Sequence, residues 1–172
     1  MAEPTLVQHA GEIHRRLLAY YGRPEWRAPL QPLDELISTI LSQNTNDRNR
    51  DLAYNRLREV LPTWEAVRDA DPQTVIEAVR IAGLANQKGP RIQGVLRQIS
   101  AERGSLDLNF LKELPQVEAH AWLVRFKGVG PKTAAIVLQF SLGMAAFPVD
   151  THVHRVSGRL GLRPPKMNAE QA

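Results

Sequence analysis

The 172-residue chain is 43% hydrophobic and carries 22 lysines and arginines against 18 aspartates and glutamates, a formal charge of +4. Enough apolar residues are present to bury a core, so disorder is not expected, and the basic balance leans toward a polyanionic partner. Cysteine is absent, which excludes disulfides, thiolate catalysis, cysteine-ligated zinc and any iron-sulfur cluster held by this chain.

In chain order, Thr5 and Gln8 form a capping-box pattern ahead of Val7, Ala10, His14, Leu17, Leu18 and Tyr21, and Gly22 closes the helix. After the loop RPEWRAPLQP, the residues Leu33, Leu36, Ile37, Ile40 and Leu41 make the stripe of a core-facing helix. Beyond the polar patch SQNTND, Ala53, Leu57 and Val60 mark a third helix that stops before Pro62. Its Arg48, Arg50, Arg56 and Arg58 read as a solvated face. Asp71 and Pro72 are an N-cap and first-turn pair for a short helix ending near Gly83. Ile92, Val95, Leu96 and Ile99 keep the helical period from Ala85 to about Glu102, with a stop at Gly104. Pro115 opens a helix expected to run to Phe126. Residues 131–142, apolar on nearly every side, predict an enclosed and central helix. Asp150 is placed to cap a last helix carrying Val153, Val156 and Leu160. No stretch alternates like a half-buried strand, so the fold class is all-α.

Three features carry chemistry. In FKGVGPKTAA, glycines let the N–H groups of Gly128, Val129 and Gly130 approach an anion, and Pro131 opens a helix whose positive end faces the same spot. The alternative is an ordinary tight connection between helices. Lys132 sits at the unfavourable end of that helix dipole. Walled by apolar residues, it would be destabilised as a cation and offer a neutral amine as nucleophile; otherwise its stem packs and its head reaches solvent. Asp150 needs no function as a cap, yet the intervening chain is long enough to fold back and bring its carboxylate beside Lys132. His152 and His154 point to different helix faces, so no metal site is expected.

GVGPKTAAIVL, followed by the aspartate of FPVDTHVHRVSGRLG, resembles the helix-hairpin-helix DNA glycosylase superfamily, most closely its endonuclease III branch. The likeness extends upstream to ILSQNTND and IAGLANQKGPRI. It implies a helical glycosylase fold and a bifunctional glycosylase and abasic-site lyase, acting on oxidised pyrimidines in duplex DNA. Lys132 would attack C1′ of a flipped-out nucleotide and form a Schiff base; Asp150 would stabilise positive charge at the sugar or manage the lysine's proton. Gly128, Val129 and Gly130 would hold phosphate, and His152 would line the base pocket. Leu84 matches the intercalating leucine, unless it is a core leucine at a helix end. The second filler of the stack, a glutamine in the family, aligns with Asn44, while Gln43 sits one place earlier. The family hairpin commonly reads Leu-Pro-Gly, where this chain has Phe126, Lys127 and Gly128.

Endonuclease III relatives commonly carry four cysteines around a [4Fe-4S] cluster; this chain reaches KMNAEQA without one, so no cofactor is expected. A truncated copy and a shortened variant both fit, with an incomplete second lobe and an exposed apolar stripe on helix one. The expected layout is an N-terminal helix and linker at 1–30, a helical domain at 31–143 with the hairpin motif at about 116–142, and the aspartate loop with the start of a C-terminal lobe at 144–172. Another lesion, such as an oxidised purine or mismatched base, stays open, as does a non-catalytic DNA-binding module. With neither a signal peptide nor a run of ~18 apolar residues, a cytoplasmic, nucleoid-associated monomer is expected, without a membrane segment.

Overall fold

The structure, a computed structural model, describes residues 5–25 and 28–168. Trp26 and Arg27 of the first loop and the outermost residues of the expected 1–30 and 144–172 segments lie outside that range. No strand occurs among the described residues, and no helix among them is long and apolar enough to cross a membrane. The chain divides into a larger unit, 29–148, and a smaller one built from its two ends, 1–28 and 149–172.

The larger unit is organised on α2 (Pro32–Ser42), which starts at a proline and places Asp34 and Glu35 in its first turn, where the helix dipole favours carboxylates. Leu36, Ile37, Ile40 and Leu41 are fully enclosed. Helices α3 (Asp47–Val60), α6 (Ala85–Arg103) and α8 (Pro131–Ile136) pack around it. The central helix is therefore α2, not the 131–142 segment as its composition suggested. The latter buries Thr133, Ala134, Ala135, Val137 and Leu138 but leaves Phe140 exposed. After Ile136 the segment widens into a π-type turn, Val137–Ser141, in which the Leu142 N–H reaches the Val137 carbonyl at 3.3 Å. Apolar periodicity cannot register that change of winding.

Between α3 and α6 the chain forms two short helices, α4 (Trp64–Asp69) and α5 (Pro72–Ala78), and a 3-10 turn at Arg80–Ala82. Asp71 caps α5 as expected, accepting from the Gln73 N–H at 2.8 Å. The unexpected α4 is capped by Thr63 and held at its other end by the buried Gln93 of α6, whose amide donates to the carbonyls of Val67 at 3.0 Å and Ala70 at 2.8 Å. The arginine face of α3 is only partly solvated. Arg50 pairs with Asp47 and Asp51, each at 2.8 Å, and the Arg58 guanidinium lies 4.4 Å from the Trp64 ring centre. Val60 falls outside the core because the helix ends there.

Helix α7 (Gln116–Val124) ends earlier than expected, so Phe126 already belongs to the hairpin. A second 3-10 turn, Asn109–Glu113, precedes it. Its Phe110 meets Trp122 edge-to-face at 5.1 Å, and Trp122 meets Phe126 at 4.8 Å. This aromatic ladder fixes the root of the hairpin in the core.

In the smaller unit, the capping box of Thr5 and Gln8 starts α1 (Leu6–Tyr21), and Gly22 ends it at φ 76°. No residue of α1 is buried; Val7 is 81% and Leu17 50% exposed. Asp150 caps α9 (Thr151–Arg159). His9 Nε2 lies 2.7 Å from the Leu160 carbonyl oxygen. The C-terminal turn folds onto α9, where Arg163 donates to the carbonyls of His154 and Met167, both at 2.9 Å.

Candidate nucleic-acid interface and reaction site

The hairpin between α7 and α8 is held from below by Phe126 and Val129, both buried, while Lys127, Gly128, Gly130 and Lys132 are exposed. Gly128 has φ 85°, a left-handed conformation that glycine adopts without strain. A Cβ there would also lie 2.2 Å from Arg91 Nε. Gly130 is extended, with open space around the position of a Cβ. The expectation that three successive N–H groups face an anion needs correction. The Val129 N–H is already donated to the Phe126 carbonyl at 2.9 Å, closing the turn. Val129 is thus an anchor, and the exposed glycines of the turn are Gly128 and Gly130.

Lys132 is the second residue of α8 and is exposed. That exposure does not match the enclosure by apolar residues expected from the sequence. Asp150 caps α9 through Oδ1, which accepts from the N–H groups of His152 at 2.9 Å and Val153 at 2.7 Å. Lys132 lies in the larger unit and Asp150 in the smaller. His152 is exposed, with Nδ1 3.1 Å from the Arg155 guanidinium. His154 is spent on the C-terminal turn, its Nε2 2.8 Å from the Met167 carbonyl oxygen. Among the described residues no cluster of three or more metal-ligating side chains occurs.

Two loops beside the hairpin carry the remaining candidates. Leu84 is 47% exposed, so it is not a core leucine. Among the described residues, Leu84 (φ 50°) and Asn44 (φ 53°) are the two non-glycine residues with left-handed backbone. Each such conformation costs about 1–2 kcal/mol, more readily accepted by asparagine than by leucine. Gln43 is differently employed. Its Nε2 donates to the Gly128 carbonyl at 3.0 Å, and its Oε1 accepts from Arg91 at 2.7 Å. With both ends of its amide engaged, Gln43 ties its loop to the hairpin and Asn44 is left as the exposed tip.

Sequence reading missed Lys88 and Arg91, three residues apart on α6. Lys88 is 1% exposed, and its Nζ donates to the carbonyls of Leu41 and Ala82, each at 2.7 Å. Burial, and then the neighbouring Arg91 charge, push its pKa below the ordinary lysine value. A signal did exist, because Lys88 occupies the buried register of α6 with Ala85, Ile92, Val95 and Ile99, where a cation is out of place.

Helices without a strand among the described residues, and a glycine hairpin leading into a lysine, are the marks of a helix-hairpin-helix protein. The model of HhH-GPD superfamily base excision DNA repair proteins matches residues 37–172, and the chain belongs to that family. It is 41% identical over 132 residues to a putative DNA glycosylase of Arabidopsis thaliana, covering 77% of this chain and 45% of the relative. It is 38% identical over 150 residues to endonuclease III of Thermotoga maritima, covering 87% and 65%. To endonuclease III of Sulfolobus acidocaldarius it is 38% identical over 128 residues, covering 73% and 55%. The chain thus spans between 45% and 65% of the length of these relatives. Its fold matches the protein in a trapped endonuclease III–DNA covalent intermediate with a TM-score of 0.78 at 24% identity, over 98% of this chain and 75% of the other. An iron-sulfur cluster does not fit these 172 residues, which offer no thiolate.

Proposed function

We propose that this chain is a base excision DNA glycosylase with abasic-site lyase activity, that its substrate is duplex DNA, and that it prefers oxidised pyrimidines. The observation that carries the reading is an exposed lysine, Lys132, one residue into the helix after a glycine hairpin, in a chain of the HhH-GPD family. The relatives named endonuclease III support the reading.

In this mechanism the N–H groups of Gly128 and Gly130 hold a backbone phosphate, a contact that positions without reading sequence. Leu84 and Asn44 fill the gap left by the extruded nucleotide. The neutral amine of Lys132 attacks C1′, the glycosidic C–N bond breaks, and the departing base takes up a proton while the nitrogen gives one up. Opening of the sugar ring gives a Schiff base between Nζ and C1′. Removal of a C2′ proton then expels the 3′ phosphate and cuts the strand. Asp150 stabilises the positive charge that develops at the sugar or accepts the lysine's proton. The preference for oxidised pyrimidines rests on the endonuclease III likeness alone.

The test uses duplexes containing thymine glycol, 8-oxoguanine, uracil or an abasic site, with and without borohydride. Wild-type protein should form a reducible covalent adduct with its preferred lesion, and Lys132→Gln should form none while still binding duplex. Adduct formation by Lys132→Gln would remove the lysine from its role. Binding without any adduct in the wild type would favour a non-catalytic DNA-binding module.

A further inference from the structure

We propose that Lys88 and Arg91 are positioning residues, a clasp on one turn of α6 that holds both strained loop tips and the glycine hairpin in a single arrangement. The inference rests on the reading of Leu84 and Asn44 as stack-filling residues.

The geometry has two halves. Lys88 binds the carbonyl of Leu41, one residue before the end of α2, and that of Ala82, the last residue of the 3-10 turn. Carbonyls at helix ends lack partners within their own helix, and a cation there also meets the negative end of the dipole. Asn44 lies three residues beyond the first carbonyl and Leu84 two beyond the second. Both tips are left-handed, and such conformations persist where surrounding structure over-determines them. Lys88 supplies that determination from inside the core, joining two chain segments 41 residues apart in sequence at one nitrogen. Arg91 supplies the other half. It lies across Gly128 where a side chain would stand and donates to Gln43, whose amide in turn donates to the Gly128 carbonyl. Phosphate capture at the hairpin and insertion at the two tips therefore share one rigid support, and neither needs to be assembled after DNA arrives.

The clasp acts on the duplex, not on the chemistry. The variants Lys88→Met and Arg91→Met remove the donors while keeping side-chain volume, and Arg91→Lys keeps a donor toward Gln43. Three readouts separate the possibilities. These are borohydride trapping on a single-stranded abasic oligonucleotide, which needs no extrusion from a stack; affinity for a duplex with a tetrahydrofuran abasic analogue relative to undamaged duplex; and 2-aminopurine fluorescence opposite the analogue, which reports stack filling. Lys88→Met should trap the single strand at the wild-type rate, yet lose about tenfold or more of its preference for the analogue duplex together with the fluorescence change. Arg91→Met should lose preference in the same direction, and Arg91→Lys should recover part of it. Lys88→Met or Arg91→Met that folds and keeps wild-type preference and fluorescence would overturn the clasp. If Lys88→Met does not fold, the Arg91 pair decides by the same criterion. Failure of the wild type to trap either substrate would instead overturn the glycosylase reading.

Discussion

Asp150 holds the first turn of α9 through one carboxylate oxygen, so replacing it with asparagine separates capping from chemistry. Asparagine caps a helix about as well as aspartate. Asp150→Asn should therefore leave thermal stability within about 0.5 kcal/mol of wild type while base excision falls about a hundredfold or more, the range of a lost acid-base or charge-stabilising group. A melting curve and single-turnover excision on the same preparation check both parts. At Lys88 the sign of a pH effect can be worked out. Its folded pKa lies below the ordinary value, so between the two values the unfolded chain binds the proton more readily than the native one. Stability should rise with pH from the lowered pKa toward about 10.4, where the unfolded lysine titrates. The neutral amine keeps two hydrogens, enough for both carbonyls. Tyr54 works the other way. Burial and its bond to Asp34 raise its pKa, so its contribution is lost above about pH 10. Subtracting the stability of Lys88→Met cancels the tyrosine, and denaturant melts between pH 7 and 10 should show the wild type gaining on the variant.

The hairpin uses its two glycines for different reasons, and alanine at each should behave differently. Gly128→Ala forces a left-handed alanine, costing about 1–2 kcal/mol, and pushes aside the Arg91 guanidinium that holds Gln43. Gly130→Ala meets no atom within 4 Å and keeps an extended backbone, so folding should be unaffected. If the Gly130 N–H lies against phosphate, the new methyl weakens damaged and undamaged duplexes by a similar several-fold factor. Unfolding curves and duplex titrations of the two variants check this pair. Elements were legible in the sequence where their signals were local. Thr5 with Gln8, Asp71 with Pro72, Asp150, and the terminating Gly22 and Gly104 all sit where the chain names them. Helix α4 was not legible, because its six residues make under two turns and its far end is satisfied by Gln93, more than twenty positions away.

In the intact molecule, protection should follow burial. Helix α2 has nine of its eleven residues buried, whereas α1 has none. Amides of residues 6–21 should therefore exchange with solvent orders of magnitude faster than those of α2. The exposed Val7 and Leu17 should make the chain prone to self-association as concentration rises. Hydrogen exchange with mass spectrometry on a sample checked by sedimentation reads both. Equal protection of α1 and α2 in a verified monomer would contradict this expectation.

The sequence by itself determined the helical class, most helix boundaries and the family, because periodicity, caps and the run from Gly128 to Asp150 are each written in neighbouring residues. It also placed Leu84 and Asn44 as candidates without showing that both backbones are left-handed. The structure decided that Leu84 is exposed, that Gln43 is bound to the hairpin, that the Val129 N–H is donated within the turn to Phe126, and that a lysine sits inside the core. For Lys88 and Gln43 the physical reason is the same. A hydrogen bond from Lys88 to Leu41 spans 47 positions, and one from Gln43 to Gly128 spans 85. Such partners are chosen by packing around α2, which no local pattern in the chain records.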